Sequence, residues 1–335
     1  MALTDELVKQ AGVSRSTVFR FLRGDNVRPA ARQSILAAMK HLNMEPADYA
    51  VHEGRTILVS VGPGFESFKG YDLAITGFVD RGDAQGFRFE LKSGSPAVPR
   101  VDQGVNDDLV GVVFLGRTIP EEDGESIRLR KRGIPHVFVN RVFDDPAVSW
   151  VSVDHQAAGR EAVFHLMDHG FAEIGTWGHI SSFRVDREKR RGYLAAHEER
   201  GVPIPESCLS YDQDGDLEPA VERLIEQKRL PGAWFAASDE HALRLIKVLR
   251  QHGLSVPNDI AIVGMDDAGQ AEFMNPSLTT IHIPFRAAGA AAFDVLKHLI
   301  ENPEQESMRV VMKHRLVVRE SCGAGDHQSG TDKEG

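Results

Sequence analysis

The stretch AWFAASDEHALRLIKVLRQHGLSVPNDIAIVGMD, residues 233–266, decides the fold because its hydrophobic pattern changes twice. It opens with a short apolar run, and residues 240–252 then place apolar side chains at the three- and four-residue spacing of a helix. A second run of branched residues ends it. Buried strands that alternate with amphipathic helices form right-handed strand-helix-strand units and a parallel sheet. The stretch therefore predicts one unit of a doubly wound α/β fold.

The same alternation extends over most of the chain. Short apolar runs rich in branched residues recur between residues 56 and 284, with amphipathic stretches between most of them. These stretches are residues 71–85, 155–168, 187–200, 218–228, 240–252 and 285–301. The runs are too numerous for one compact sheet of usual size. We therefore expect two doubly wound parallel-sheet subdomains.

The N-terminal region has a different pattern, which centres on AGVSRSTVFRFLRGDN, residues 11–26. Gly12 permits a sharp turn, and Ser14 can cap the helix that follows it. Val18 and Leu22, four residues apart, would face inward on that helix while its polar residues face outward. With one helix before the turn and a third helix after it, the pattern predicts a three-helix helix-turn-helix head.

These patterns divide the chain into a small head and a large body. We expect a helix-turn-helix domain over residues 1–45, a hinge or linker over 46–55, a body over 56–322 and a disordered tail over 323–335. Charge follows the same division: the formal net charge is −10, of which residues 1–45 carry +3 and the remainder −13. A basic head on an acidic body indicates that a polyanion is met by the head alone. A merely solvated charged face is the alternative, and the charge does not exclude it.

Other features argue against several classes of protein. No apolar run approaches the ~18 residues of a membrane span, and the polar N-terminus lacks a signal-peptide core, so we expect a cytoplasmic protein without membrane contact. Cys208 and Cys322 are the only cysteines and lie far apart, which disfavours a disulfide framework. Histidines are not spaced as metal pairs, and no phosphate-loop, dinucleotide or nucleophile-elbow motif is complete. We expect no metal, no cofactor and no enzyme activity.

Four stretches together resemble the LacI/GalR family of transcriptional regulators. Residues 11–24 look like its DNA-reading helix pair, and VDHQAAGREAVFHLMDHGFAEIG (153–175) resembles the start of its second subdomain. REKRRGYLAA (187–196) is similar to its effector-side helix, and residues 236–296 to its long C-terminal signature. Together these stretches span most of residues 4–320.

The resemblance implies a homodimer whose body has two lobes of the type I periplasmic-binding-protein kind. The N-lobe would contain residues 56–154 and 284–309, and the C-lobe residues 155–281 and 310–322. It also implies a sequence-specific repressor that binds double-stranded operator DNA and senses a small effector, a sugar or sugar acid, between the lobes. Whether effector releases or promotes DNA binding stays open, and so do the alternatives of a solute-binding protein or an enzyme on the same α/β frame.

The residues expected to contact DNA lie in the head, because a recognition helix meets base edges with its first turns. Arg15, Ser16 and Arg20 are expected to contact bases, and Thr17 a base or a phosphate. Arg23, Arg28 and Arg32 would hold phosphates. The resembled family usually has serine at the position of Phe19, and we expect this larger ring to extend the core of the head, with packing against the DNA backbone sugars as the alternative.

The hinge departs from the family pattern. The leucine that wedges into the minor groove in relatives falls near Glu53 here, and a carboxylate cannot wedge between stacked bases. Either Tyr49 or Val51 takes its place, or the protein binds DNA without that kink.

The residues expected to contact the effector follow strand ends, since ligands of open α/β sheets bind at the carboxyl ends of the strands. These residues are Asn140, Arg141, Trp150, Ser238, Asp239 and Asp266. Asn140 and Asp266 match positions where relatives hydrogen-bond sugar hydroxyls, and Trp150 and Phe285 offer rings for a sugar face. Core packing is the alternative for Trp150, and helix capping for Asp239 and Asp266.

Positive charge surrounds the position where relatives fix the effector with arginine. Lys189 stands there and lacks the planar fork of arginine, so Arg187 is a second candidate. Together with Arg190 and Arg191, these residues suggest an anionic effector such as a sugar acid or sugar phosphate.

Overall fold

The structure is a computed structural model that describes residues 2–22, 27–44, 55–62, 69–83, 85–93, 109–115, 120–177, 184–204 and 217–323. In chain order the helices are α1 (Ala2–Ala11), α2 (Arg15–Leu22), α3 (Pro29–His41), α4 (Lys69–Asp83), α5 (Pro120–Lys131), α6 (His155–Asp168), α7 (Arg184–Arg200), α8 (Leu217–Glu226), α9 (Asp239–Gln251) and α10 (Phe285–Glu301). The strands are β1 (Thr56–Val61), β2 (Arg88–Ser93), β3 (Leu109–Leu115), β4 (His136–Val139), β5 (Trp150–Val153), β6 (Ile174–Trp177), β7 (Ala233–Ala236), β8 (Ala261–Asp266), β9 (Thr279–His282), β10 (Arg309–Met312) and β11 (Arg315–Val317).

The head is formed by α1, α2 and α3 around a hydrophobic core of its own. Leu7, Val18, Ile35 and Met39 are fully buried and belong to one cluster. The turn between α1 and α2 passes through Gly12 at φ +63°, a left-handed conformation that favours glycine. The side of α2 that packs is therefore the side that its spacing predicts.

The first sheet has six strands in the order β10-β5-β4-β3-β1-β2, and all neighbouring pairs are parallel. On one face α4 crosses α10 so closely that a Cβ atom on Gly289 would lie 1.9 Å from the carbonyl oxygen of Ala74. On the other face Leu129 of α5 packs with Phe114 and Phe138. Helices on both faces of a parallel sheet make this the doubly wound N-lobe.

The second sheet has the order β11-β9-β8-β7-β6, in which β6 to β9 are parallel and β11 is antiparallel to β9. On one face α6 packs against α7, and a Cβ atom on Gly192 would lie 2.2 Å from the carbonyl oxygen of Gln156. On the other face α8 and α9 bury Trp234. This second doubly wound unit is the C-lobe.

The chain passes between the two sheets three times. It leaves β5 for α6 at Asp154, leaves β9 for α10 at residues 283–284 and leaves β10 for β11 at residues 313–314. Because β10 pairs with β5, the first sheet continues to Met312. The last crossing therefore lies a few residues beyond the expected boundary near residue 309.

The α/β class and the two doubly wound units agree with the sequence-based expectation. The pattern did not indicate α5, β10 or β11. Only Ser126 and Leu129 of the described α5 side chains are buried, and β10 and β11 contain no buried residue, so these elements carry little hydrophobic signal. Among the described helices, none is long and apolar enough to cross a membrane.

Candidate functional site

The exposed side of α2 is the first candidate surface. Ser14 caps the helix, since its hydroxyl accepts a hydrogen bond from the Thr17 backbone N–H at 3.2 Å. The same hydroxyl lies 2.9 Å from the Ser16 hydroxyl and 2.7 Å from that of Thr17. Arg15, Ser16 and Arg20 are exposed, while the opposite side of α2 is buried. The helix thus presents its polar first turns to solvent from a capped, packed base.

Neighbouring groups also hold the arginines of the head. Arg15 lies 3.5 Å from a carboxylate oxygen of Asp5, and both side chains are more than half exposed. Its guanidinium carbon lies 5.7 Å from the ring centroid of Phe19. Phe19 is half-buried and does not belong to the head's core cluster, so the expectation of a core ring is wrong. The ring of Phe19 instead makes a cation–π contact with the guanidinium of Arg15.

The remaining residues predicted to hold phosphates lie beside α3 or outside the described chain. Arg28 is exposed directly before α3, and Arg32 is exposed with its guanidinium carbon 5.5 Å from the ring centroid of Phe21. Arg23 lies outside the described residues, as do residues 45–54 of the predicted hinge, its positions 49, 51 and 53 among them, and residues 324–335 of the predicted tail. The described head surface therefore carries Arg15, Arg20, Arg28 and Arg32.

A cleft between the lobes is the second candidate site. The carboxyl end of β5 leads into one crossing and that of β9 into another. The carboxyl edges of the two parallel sheets therefore face each other across the crossings. In open α/β sheets this edge is where ligands bind.

Asn140 lies on the N-lobe side of this cleft. It follows β4 in the left-handed region at φ +57°, and its side-chain oxygen lies 3.0 Å from Nε2 of His155. His155 is buried at the start of α6, and Nε2 also lies 3.2 Å from the Ser152 hydroxyl. Burial, with a smaller contribution from the charge of Lys189, lowers the pKa of His155 well below its usual value. The imidazole is therefore neutral at pH 7 and positions the predicted ligand-binding amide.

Lys189 and Asp266 meet on the C-lobe side. Lys189 is buried, and its ammonium donates a hydrogen bond to the carbonyl oxygen of Ala237 at 2.7 Å and lies 3.7 Å from a carboxylate oxygen of Asp186. Asp266 ends β8 with φ +138° and is also buried. Burial raises the pKa of Asp266 well above its usual value, and the charge of Lys189 opposes that rise. The structure thus brings together two of the residues predicted for the site.

Asp239 does not offer an unoccupied carboxylate to a ligand, which corrects its predicted role. One oxygen accepts a hydrogen bond from the Thr280 hydroxyl at 2.5 Å and the other from the backbone N–H of Asp267 at 2.8 Å. Burial raises the pKa of Asp239 to about 6, and these two hydrogen bonds oppose the rise. Asp239 therefore braces β9 and the residue after β8 against α9. Ser238 caps α9 by accepting a hydrogen bond from the His241 backbone N–H at 3.2 Å.

The two aromatic residues predicted to stack on a ligand are core residues. Trp150 begins β5, so it lies at the amino edge of the first sheet, packed with Phe114 and Phe138. Phe285 is 2% exposed and belongs to the main hydrophobic core. The stacking predictions are wrong because both rings are already buried in the hydrophobic core and present no face to a ligand.

Arg187 and Arg141, the two arginines predicted to contact the effector, do not take that role either. Arg187 is exposed and two residues from buried Lys189, so the two side chains leave α7 on opposite sides and Arg187 does not replace Lys189. Arg141 is 2% exposed, and its guanidinium carbon lies 5.5 Å from the ring centroid of Phe138. Arg141 is therefore packed within the N-lobe and does not reach out toward the cleft.

Sequence reasoning missed an ion pair that joins the lobes across the cleft. Arg184 at the start of α7 donates two hydrogen bonds of 2.5 Å to the two carboxylate oxygens of Asp144, in the loop after β4. The Arg184 guanidinium lowers the pKa of Asp144. We call this pair the clasp. No local sequence pattern predicts this ion pair, because its two residues are 40 positions apart.

A second missed network ties the segment after β11 to the cleft. Asp267, directly after β8, accepts a hydrogen bond from Arg319 at 2.8 Å through one oxygen and lies 2.9 Å from Nδ1 of His282 through the other. Among the described residues, no group of three or more His, Cys, Asp or Glu side chains could hold a metal ion. The cleft is thus a polar site of amide, ammonium and carboxylate groups.

Comparisons with known proteins agree with this architecture. A family described as "Periplasmic binding protein-like domain" matches residues 163–322. The chain is 29% identical to the ribose operon repressor of Escherichia coli over 96% of its own length and all of the relative. It is 27% identical to catabolite control protein A of Priestia megaterium, with 94% of this chain and 98% of the relative covered.

A solved structure extends the likeness to the whole chain. The "transcriptional regulator CelR-cellobiose complex" superposes with a TM-score of 0.71 at 28% identity, over 95% of this chain and 99% of that one. The chain is therefore similar, over nearly its whole length, to regulators of the LacI/GalR family. This similarity covers both the helix-turn-helix head and the two-lobed body described above.

Proposed function

We propose that this chain is a transcriptional repressor that binds a pseudo-palindromic DNA operator as a homodimer. Its affinity for the operator falls or rises when a small ligand occupies the cleft. It carries no enzymatic activity in this role, and it acts in the cytoplasm, where the DNA is. The support is the combination of a head that exposes a capped recognition helix with a body of the family's ligand-binding fold.

The observation that carries the DNA-binding role is the orientation of α2. Its apolar residues Val18 and Leu22 are buried, so Arg15, Ser16 and Arg20 are necessarily the residues turned outward. Arginine reads guanine bidentately in the major groove, and serine hydroxyls bond to bases or phosphates. Arg28 and Arg32 on the same head would hold backbone phosphates and set the register of α2 in the groove.

The charges around the cleft favour a neutral, hydroxyl-rich ligand among the predicted effectors. Lys189 already lies beside the carboxylate of Asp186 and donates a hydrogen bond to the carbonyl oxygen of Ala237. Its positive charge is therefore compensated before any ligand arrives. The amide of Asn140 and the carboxyl of Asp266 suit sugar hydroxyls, which both donate and accept hydrogen bonds. The relative CelR was solved with cellobiose, which supports a sugar over a sugar acid.

Ligand control would act through closure of the lobes. A ligand that contacts Asn140 on one lobe and Lys189 or Asp266 on the other stabilises the closed arrangement, and only such a difference in affinity between states shifts the equilibrium. The N-lobe carries the connection to the head at Arg55, so closure changes how two heads of a dimer fit half-sites ~34–36 Å apart.

Operator selection followed by a ligand panel tests the proposal. The full chain is incubated with random double-stranded DNA at low salt, and the enriched sequence is then used in fluorescence anisotropy. We expect a pseudo-palindrome, affinity that falls steeply with salt, and a shift in affinity with a neutral sugar but not with the matching sugar acid. Selection that enriches no sequence would reject the repressor, and a response only to acids would reject the neutral ligand.

A further inference from the structure

The amino-terminal edge of the first sheet carries positive charge. All six strands of this sheet are parallel, so their amino ends lie together at one edge. Arg55 precedes β1 there, and Arg88 begins β2 beside it, with its N–H donating to the Arg55 carbonyl at 2.9 Å. The helix α5 runs back to the same edge and ends in the sequence RLRKRG, residues 128–133. This edge is called the basic face, and its exposed or half-buried basic residues are Arg55, Arg88, Arg128, Arg130, Lys131 and Arg132.

A cavity shows that these side chains come together in space. Arg55, Arg130 and Arg132 line one cavity of about 1060 Å³ at this edge. Arg130 is paired with Asp145 at 2.9 Å, and Glu306 is a further acidic residue of the lining. Among the described residues that line the cavity, three are arginines and one, Glu306, is acidic, whereas residues 46–335 together carry −13. A basic surface on an acidic body orients the molecule toward a polyanion.

The position of this face in the chain identifies the polyanion. Arg55 is separated from the last described residue of the head by residues 45–54, which span at most ~35 Å even when fully extended. The head is thus attached to the body at the basic face, and the cleft lies at the opposite edge of the same sheet. A duplex held by the head is therefore within reach of the basic face.

We propose that the basic face is a second DNA contact of this chain, which engages backbone phosphates of the duplex that the head reads. It rests on the proposed function, because it needs a head that binds DNA. Lysine and arginine at this face neutralise phosphates without reading bases, so they contribute affinity and salt dependence and leave the sequence preference unchanged.

The chain offers a matched pair of variants to test this contact. Lys131 and Arg132 form an exposed Lys-Arg pair at the end of α5, and Lys228 and Arg229 form another after α8. Both pairs end a helix that precedes the amino end of a parallel strand, but the second pair lies at the far end of the C-lobe, away from the head. Lys131→Gln with Arg132→Gln removes charge from the basic face, and Lys228→Gln with Arg229→Gln removes the same charge elsewhere.

Operator affinity of the full chain is measured for both double variants from ~0.05 to ~0.3 M salt, with ultracentrifugation confirming an unchanged oligomeric state. We expect the slope of log affinity against log salt to fall by about one for each lost phosphate contact in the 131/132 variant, with a loss of about fivefold to tenfold per contact near 0.1 M. The 228/229 variant should keep the slope of the unmodified chain.

The other outcomes overturn one proposal or the other. Equal slopes in all three proteins refute the basic face and leave the repressor standing. Equal losses in both variants mean a general charge effect and also refute it. A changed sequence preference in the 131/132 variant refutes a backbone contact. If about 5 mM inorganic phosphate cancels the difference at constant ionic strength, the cavity binds a small anion and not the duplex. Absence of salt-dependent DNA binding in the unmodified chain refutes the proposed function itself.

Discussion

Replacement of Asp239 by asparagine separates bracing of the C-lobe from ligand binding. Burial raises the pKa of Asp239 from 3.8 to about 6. Because the folded-state pKa lies above the unfolded one, the folded chain holds the proton longer. The free energy of unfolding is therefore highest below pH ~3.8 and falls as pH rises through about 6. The ionised carboxylate of Asp239 thus destabilises the folded C-lobe at pH 7.

The magnitude follows from the difference between the two pKa values. A pKa about two units higher in the folded than in the unfolded chain corresponds to roughly 3 kcal/mol of unfolding free energy. Of this contribution, roughly 2 kcal/mol is lost between pH 4 and pH 8. Asparagine has the same shape and carries no charge. Its amide oxygen can accept from the Asp267 N–H while its amide nitrogen donates to the Thr280 hydroxyl. We expect Asp239→Asn to gain roughly 2 kcal/mol over the unmodified chain across this pH range.

Urea unfolding at pH 4, 6 and 8 measures this gain, with the fluorescence of buried Trp177 and Trp234 reporting on the C-lobe. Groups that titrate in both proteins cancel in the difference. Asp259→Asn is the control of opposite sign, since hydrogen bonds from Ser255 lower the pKa of Asp259. A stability difference that does not change with pH refutes the reasoning. So does a loss of effector affinity above about a hundredfold, which would make Asp239 a ligand contact.

Three further predictions concern the head, the N-lobe and the clasp. Arg20→Ala should cost ~1–3 kcal/mol of operator affinity and relax the preference at one base pair, as anisotropy with base-substituted operators can measure. Gly289→Ala places a methyl group against a backbone carbonyl of α4 and should destabilise the N-lobe by roughly 3 kcal/mol or more. In the control Gly124→Ala the new methyl group meets no atom within 4 Å, so this variant should keep the stability of the unmodified chain. Thermal unfolding of both variants measures the difference. Asp144→Asn should weaken effector binding modestly, and less so at high salt, while the exchange of Asp144 and Arg184 restores it; calorimetry that finds no restoration excludes the pair as a clasp.

Much of the fold could be predicted because its elements repeat one simple pattern. Each fully buried strand is a short run of mostly apolar residues, many of them branched, and α9 shows its apolar side at helical spacing. The head is equally legible, since Gly12, Ser14, Val18 and Leu22 each do what their chemistry favours at that place. The helix α5 was not indicated, because its sequence PEEDGESIRLRK shows no apolar side.

The site was less legible than the fold. Sequence identifies which residues follow a strand, but Trp150 begins β5 and so lies at the wrong edge of the sheet for a ligand contact. The residue type of Asp239 does not reveal whether its carboxylate contacts a ligand or accepts a hydrogen bond from Thr280. Contacts between distant positions, such as that between Asp144 and Arg184, exist only after both lobes have folded.

The clasp and the effector act on one equilibrium, and this determines how their effects on DNA combine. Asp144 lies in the loop after β4 of the N-lobe and Arg184 begins α7 of the C-lobe, so any movement that separates these two elements breaks their ion pair. In the proposed function, a ligand that contacts both Asn140 and Lys189 stabilises the same arrangement of the lobes. By linkage, any change that favours the open lobes must shift operator affinity opposite to the ligand. If a sugar releases the operator, loss of the clasp therefore tightens repression, and if a sugar promotes binding, the same loss relieves it.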